Sequence, residues 1–408
     1  METGPEFSKN SGTPATGLDK TLKIRVLLRM DLHARFPGFD DLRRHAKKRL
    51  PHFAWEYLDS GTGVDAARIR NRTALDKIGF LPGILHGVTE TVLSTNILGC
   101  EAKLPFGVAP VGMSGLFWPN AEQYLARAAK QAGIPYALST VASQSPEDLA
   151  PHIGPDAWFQ LYPPKDAEVR QDMLNRIKAA GFRALILTVD VPVASRRERQ
   201  VRSGLRQPPQ LTPRIVAQVA ARPAWAIATA KRGMPKLKTL APYVANAPKS
   251  LPPGAHIGYL LRASPRLDYV KWLRDNWDGP LMIKGVMRVE DAAPLAEVGV
   301  DALWVSNHGG RQFDGSPASI EVLPDIRAAT DLPIIFDSGI EGGLDILRAL
   351  ALGADFVMLG RAFHYGVAAL GKAGAAHTID MMQKDIESCM GQIGAARLDD
   401  LPPHLILT

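Results

Sequence analysis

The chain has 408 residues, 46% hydrophobic and 22% charged, a composition with ample material for a folded core and room for one large α/β barrel or two to three smaller domains. Two cysteines, Cys100 and Cys389, make no disulfide framework or zinc pattern, which places the chain in a reducing, cytoplasmic setting without a metal site, and no secretory signal or membrane-spanning apolar run is evident. The net charge of +7 is uneven, with 12 Lys and Arg and no acid between Arg199 and Arg266 against 36 basic and 41 acidic residues elsewhere; no recognisable nucleic-acid-binding module accompanies this basic segment, so no nucleic acid partner is expected.

In chain order, residues 1–17 are small, polar and patternless, and are set aside as a leader or tag. An N-terminal helical extension is expected over 18–103. Within it Phe39–Leu58 reads as two short helices carrying Arg43, Arg44, Lys47 and Lys48, and Tyr57 approaches the glycine stop of Ser60-Gly61. By residue type alone Tyr57 is a packing aromatic.

From 104 to 408 short apolar runs alternate with helical patterns. The expected strands are Phe106–Val111, Tyr136–Thr140, Ala157–Tyr162, Ala184–Asp190, Pro280–Val286, Ala302–His308, Pro333–Gly339 and Phe356–Arg361. Helices are expected over Asn120–Ala132, Ala167–Ala180, Val289–Val298, Ile320–Ala329 and Leu344–Leu352. Asn120 and Asp166 read as N-caps, and Gly133, Gly181, Gly299 and Gly353 as helix stops. Eight such strands make a single (β/α)8 TIM barrel, an α/β fold; two Rossmann halves are the rival, but no Gly-x-Gly-x-x-Gly turn follows the first strand. An insertion at about 199–257, after strand four, holds the basic residues.

A barrel gathers its chemistry where strands end. Gln160 and Tyr162 end the third strand, Thr188 and Asp190 the fourth, Lys284 the fifth, Ser306 and His308 the sixth, Asp337 to Gly339 the seventh, and Gly360-Arg361 the eighth. In Ser306-Asn307-His308-Gly309-Gly310-Arg311-Gln312 an imidazole, which accepts a proton near neutrality, stands three positions from a guanidinium, which grips a carboxylate through paired hydrogen bonds. Lys284 at an apolar strand end is expensive to bury without a partner, which favours a functional role.

Several motifs in order, Tyr57-Leu58-Asp59-Ser60-Gly61, Ala109-Pro110-Val111-Gly112, Phe159-Gln160-Leu161-Tyr162, Thr188-Val189-Asp190, Lys284-Gly285-Val286, Ser306–Gln312, Asp337-Ser338-Gly339 and Leu359-Gly360-Arg361, resemble the FMN-dependent α-hydroxy-acid oxidases and dehydrogenases. The likeness runs from about Phe39 to the C-terminus. It implies that His308 takes a proton from a 2-hydroxy acid, that Asp190 orients it, and that Arg311 and Arg197 clamp the substrate carboxylate with help from Tyr57. Arg196 competes with Arg197 for this place. Tyr162 is implied at the substrate hydroxyl, and Lys284 beside the flavin pyrimidine edge, where a cation stabilises the reduced anion. Pro110, Val111, Gly112, Ser139, Gln160, Thr188, Ser306, Asp337 and Ser338 match flavin-contacting positions, and Gly339, Gly360 and Arg361 a phosphate cradle.

Glu341 departs from the pattern, since relatives carry an arginine there that meets the phosphate. An acid would repel a phosphate unless it turns away or pairs with a base such as Arg361. Weaker FMN retention is the expectation. Gly112 matches dehydrogenases rather than oxidases, pointing to an acceptor other than oxygen. Val141 replaces a bulkier aromatic, leaving room for a medium or aromatic L-2-hydroxy acid. Arg214–Lys238 mixes Ile215, Val216, Val219, Trp225 and Ile227 with basic residues, resembling the loop through which lactate- and mandelate-type dehydrogenases meet an anionic membrane and deliver electrons to quinone. The alternative for this segment is a solvated active-site lid, with Pro223 interrupting any helix. The resemblance also implies a homotetramer, peripheral at the inner face of the cytoplasmic membrane. Two other functions stay open: an oxidase that makes hydrogen peroxide, and an FMN-binding barrel with an isomerase or non-catalytic role.

Overall fold

Eight parallel strands close into a barrel, with short helices before and between them. A computed structural model describes residues 31–205, 210–244, 260–261 and 263–407. The expected leader and part of the insertion, 206–209 and 245–257, lie outside the described residues.

A short helix, Leu32–Arg35, comes first, followed by helices Phe39–Arg49, His52–Asp59 and Ala66–Asp76. Strand β1 (Ile78–Phe80) follows, then the hairpin of β2 (Thr95–Ile97) and β3 (Cys100–Ala102). The barrel comprises β4 (Phe106–Val108), β5 (Tyr136–Ser139), β6 (Ala157–Leu161), β7 (Ala184–Thr188), β8 (Leu281–Val286), β9 (Ala302–Val305), β10 (Ile334–Phe336) and β11 (Phe356–Leu359). Parallel pairing runs β4 to β11 in order and closes β11 on β4. The final strand, β12 (Leu405–Leu407), pairs antiparallel with β1.

Side-chain alternation builds two layers. In β8, Leu281 and Ile283 join the outer core beneath the helices, whereas Met282 packs inside the barrel; in β9, Leu303 and Val305 face out and Ala302 and Trp304 face in. Trp158, Trp304 and Phe356 fill the interior among Ala137, Ala184 and Ala302, large against small, and Ile97 and Ala102 of the hairpin join the same cluster.

The ladders end sooner than the apolar runs predict: β4 at Val108, β7 at Thr188, β9 at Val305, β10 at Phe336. The following residues leave extended geometry. His308, Gly309 and Gly310 have φ of 58°, 63° and 72°, and Ser338 and Gly339 have 96° and 88°. A strand cannot hold left-handed backbone, and non-glycine residues there carry strain. Asp190, His308, Arg311, Asp337 and Ser338 therefore belong to the loops after the strands, whereas Ser139, Gln160, Thr188 and Lys284 stay at or near strand ends. Asp166 caps helix Ala167–Ala179 as expected, accepting from the N–H groups of Glu168 and Val169. Asn120 does not cap; it stands before helix Ala121–Ala132 in left-handed conformation without a side-chain bond to the helix.

After β7 the chain forms helices Glu198–Ser203, Pro213–Ala220 and Pro223–Arg232. Pro223 opens the last of these, where its missing N–H costs nothing, instead of breaking it. This part of the insertion is docked. Trp225 is buried, donates Nε1–H to the Leu116 carbonyl at 2.9 Å and meets Phe53 edge-to-face. Gln218 accepts from the Phe53 N–H at 2.8 Å and donates to the Ser203 carbonyl at 3.0 Å.

Candidate active site

The loops after β7 and β9 bring Asp190 and His308 together. His308 Nδ1 lies 2.9 Å and 3.1 Å from the two Asp190 carboxylate oxygens. A glycine makes this approach feasible: Gly285 has φ 110°, and a Cβ there would stand 2.6 Å from Asp190 Cβ. Burial pushes the His308 imidazole below its ordinary range, outweighing the neighbouring carboxylate. Burial alone would raise Asp190, but the imidazole and Lys284 hold it low. The pair is thus an ionised carboxylate and a neutral imidazole, with Nδ1–H donating to Asp190 and the Nε2 lone pair left for another partner.

Arg311 supplies the opposite charge. Its guanidinium donates to the Ser60 carbonyl at 2.9 Å and lies 5.5 Å from the Tyr57 ring centre. Burial, with repulsion from Arg197 and Arg361, holds it well below the ordinary arginine range. Among the described residues, neither Arg311 nor Arg197 nor Arg361 forms an ion pair with an acid. Such cations are costly to bury without an anion. Arg196 and Arg197 both line the groove but are held differently: the Arg196 side chain is 86% exposed and pairs with Glu198, while Arg197 donates to Ser195 Oγ at 2.9 Å. Tyr162, half-buried and with its phenol pushed up by desolvation and by Asp190, lines the same space.

These groups open onto a groove of about 650 Å³ that Tyr57, Pro110, Val111, Gly112, Ser139, Gln160, Thr188, Lys284, Asp337, Ser338, Gly339, Gly360 and Arg361 also line. Lys284 Nζ bonds Ser306 Oγ at 2.6 Å and pairs with Asp337 Oδ2 at 2.9 Å. Ser306 differs from its expected place. It is fully buried behind the groove wall, where it bridges Lys284, Asp337 and the His308 N–H.

Arg361 lines the groove with Gly339 and Gly360 and is also held by backbone. Its guanidinium donates to the carbonyls of Leu58, Gly309 and Ser60 at 3.2, 2.9 and 3.0 Å. The cationic neighbours of Glu341 are Arg72 and Arg43, not Arg361. Arg72 is already shared between Asp345 and Asp76, and Arg43 pairs with Asp59. Burial, the larger influence, raises the Glu341 carboxyl. Helix Ala66–Asp76 brings Arg68, Asn71 and Arg72 to this end of the groove, a contribution sequence reasoning missed because that helix carries no motif of its own.

A family model described as FMN-dependent dehydrogenase matches residues 46–408. The chain belongs to the FMN-dependent dehydrogenase family. The L-lactate dehydrogenase of Vibrio cholerae serotype O1 (strain M66-2) is 39% identical over 367 residues, covering 88% of this chain and 96% of that protein. The L-lactate dehydrogenase of Pseudomonas aeruginosa (strain LESB58) is 38% identical, covering 88% and 95%. Among solved structures, the monotopic membrane protein (S)-mandelate dehydrogenase superposes with a TM-score of 0.85 at 34% identity, covering 91% of this chain and 99% of that one. A mandelate oxidase structure gives 0.77 at 32% identity, with 91% and 98% covered.

The groove of this family member fits FMN by its own chemistry. Gln160 Nε2 and Thr188 Oγ1 are buried with no hydrogen-bond partner among the described residues, although Gln160 Oε1 is satisfied by Ser139 Oγ at 2.8 Å. Orphaned polar atoms at strand ends call for a hydrogen-bonding occupant. Cationic Lys284 on the same wall suits its electron-rich edge.

Proposed function

We propose that this dehydrogenase oxidises an L-2-hydroxy acid to the 2-oxo acid, with His308 as base and a quinone or another non-oxygen compound as final acceptor. One arrangement carries the reading: a neutral imidazole fixed by a buried carboxylate shares a groove with guanidinium groups that lack an acid. A substrate carboxylate supplies the missing anion for Arg311 and Arg197, with the Tyr57 hydroxyl beside them. That anchorage directs the C2 hydroxyl towards Tyr162 and His308 Nε2, which takes the hydroxyl proton while Asp190 stabilises the imidazolium formed. FMN, when bound, would supply the acceptor for the C2 hydrogen and the electron pair of the C–H bond that breaks, so that proton, hydrogen and electrons are all accounted for. Gln160 and Thr188 orient it, and Lys284 offsets the negative charge that reduction brings.

Phe117, Val141, Leu205, Leu237 and Leu261 form an apolar wall beside these groups, and a Cβ on Gly112 would stand only 2.6 Å from Val141 Cγ2. The wall suits a side chain larger than methyl, a medium or aromatic one. Anaerobic flavin bleaching with glycolate, L-lactate, longer aliphatic L-2-hydroxy acids and (S)-mandelate tests substrate and reaction together. Bleaching by the larger acids supports the reading; preference for glycolate discards the size argument, and no bleaching by any acid discards hydroxy-acid oxidation. Hydrogen peroxide formed at the turnover rate in air would select an oxidase instead.

Peripheral membrane contact belongs to the same proposal. No described helix is long and apolar enough to cross a membrane. The expected apolar set divides: Trp225 and Ile215 are buried against the body, Val219 is partly buried, and Val216 and Ile227 are exposed, joined by exposed Leu211 and Met234 near Arg214, Lys231 and Arg232. Those exposed residues, not Trp225, would meet an anionic lipid surface. A homotetramer completes the reading and is checked by sedimentation equilibrium.

A further inference from the structure

Asp337 collects four donors. Its Oδ1 accepts from Ser306 Oγ at 2.5 Å and Ser338 Oγ at 2.7 Å, while Oδ2 faces Lys284 Nζ at 2.9 Å and Trp304 Nε1 at 3.0 Å. Trp304 is not on the groove wall. It is fully buried inside the barrel, edge-to-face with Trp158 at 6.4 Å, and is the direct ladder partner of Lys284 between β8 and β9. Its ring centre lies 5.3 Å from the Lys284 ammonium.

Lys284 and the indole N–H thus compete for one carboxylate oxygen. A carboxylate neutralises a nearby ammonium less when its charge is also drawn to another donor, and in a dry interior that difference is felt strongly. Lys284 borders the cofactor groove, so whatever positive charge Asp337 leaves uncompensated acts there. We propose that Trp304 is a positioning residue which, through Asp337, sets how much of the Lys284 charge reaches the bound flavin. The proposal rests on FMN occupying this groove with Lys284 beside it. It assigns a task to a side chain that touches neither substrate nor cofactor. An aliphatic residue would fill the interior as well but would leave Asp337 wholly to Lys284.

The test uses the FMN-loaded protein. Trp304→Phe keeps an aromatic ring and removes the N–H; Trp304→His restores a ring N–H. Sulfite affinity, read by loss of flavin absorbance, and the two-electron potential of bound FMN report positive charge near the flavin without any hydroxy acid. Trp304→Phe should weaken sulfite binding about tenfold and lower the potential, the equivalent of about 30 mV for a tenfold change in a two-electron couple. Trp304→His should recover most of both. In a Lys284→Met background, Trp304→Phe should change neither, because the charge it modulates is gone. Equal values for the Phe and His variants and the parent, or a Phe effect undiminished without Lys284, would overturn the proposal. If Lys284→Met alone leaves the potential unmoved, the placement of Lys284 beside the flavin fails first, which separates the two ideas.

Discussion

His308 Nδ1 lies 2.9 Å from Asp190 Oδ1, and that single bond decides which imidazole nitrogen faces the groove. An ionised carboxylate accepts only, so Nδ1 carries the proton and Nε2 the lone pair. Asp190→Asn offers an amide N–H to the same atom and favours the other tautomer. We expect flavin reduction by the hydroxy acid to slow on the order of 10²-fold or more, with FMN content unchanged. Stopped-flow reduction measures it; a rate within twofold of the parent would remove Asp190 as the orienting group. His308→Ala should abolish reduction and still hold FMN.

The pH profile has a calculable sign. His308 must be neutral to accept a proton, and burial holds its pKa below 6.5. Reduction rate over substrate affinity should therefore be flat at pH 7 and fall only as pH drops through that lowered value. A limb above 7 on the acidic side would contradict the buried, neutral base.

Arg311 is a cation poised for an anion, held without an acid and repelled by Arg197 and Arg361. Arg311→Met should raise KM about 100-fold or more, because a charge-assisted bidentate contact is lost. The same change should leave the melting temperature of the substrate-free protein no lower, since it relieves an uncompensated charge. A destabilised variant with normal KM would make Arg311 structural.

Glu341 lines the groove with its carboxyl raised by burial. Ionised, it repels a phosphate; protonated, it does not. Its effect is therefore absent at low pH and grows as pH rises through its pKa. Glu341→Gln should bind FMN more tightly than the parent at pH 8, and the two affinities should converge as pH falls through the raised Glu341 pKa. Glu341→Arg should bind more tightly still. Fluorescence titration of the apoprotein checks this, and indistinguishable affinities at pH 8 would show that Glu341 does not face the phosphate.

Exposed Val216 and Ile227 supply a surface test. Changing both to Ser should reduce co-sedimentation with anionic vesicles several-fold while leaving flavin reduction intact, because neither lines the groove. Equal sedimentation would leave the basic insertion as a solvated cover.

Alternating apolar runs and glycine stops were enough to read eight strands, the barrel and the rim positions of Asp190, Lys284, His308 and Arg311. That information is local: side-chain alternation, turn chemistry and the order of motifs are properties of neighbouring residues. Strand ends were read too long because left-handed φ at His308 and Ser338 is imposed by the loops they enter. Only the folded chain turned Arg196 onto Glu198 and Arg197 onto Ser195, drew Arg361 onto three carbonyls, hid Ser306 behind the wall and buried Trp225 against Phe53 and Leu116. It also set Trp304 opposite Lys284 with Asp337 between them. These outcomes turn on contacts between residues distant in sequence, where burial and the competition for each hydrogen-bond acceptor are settled by packing, and no local pattern records them.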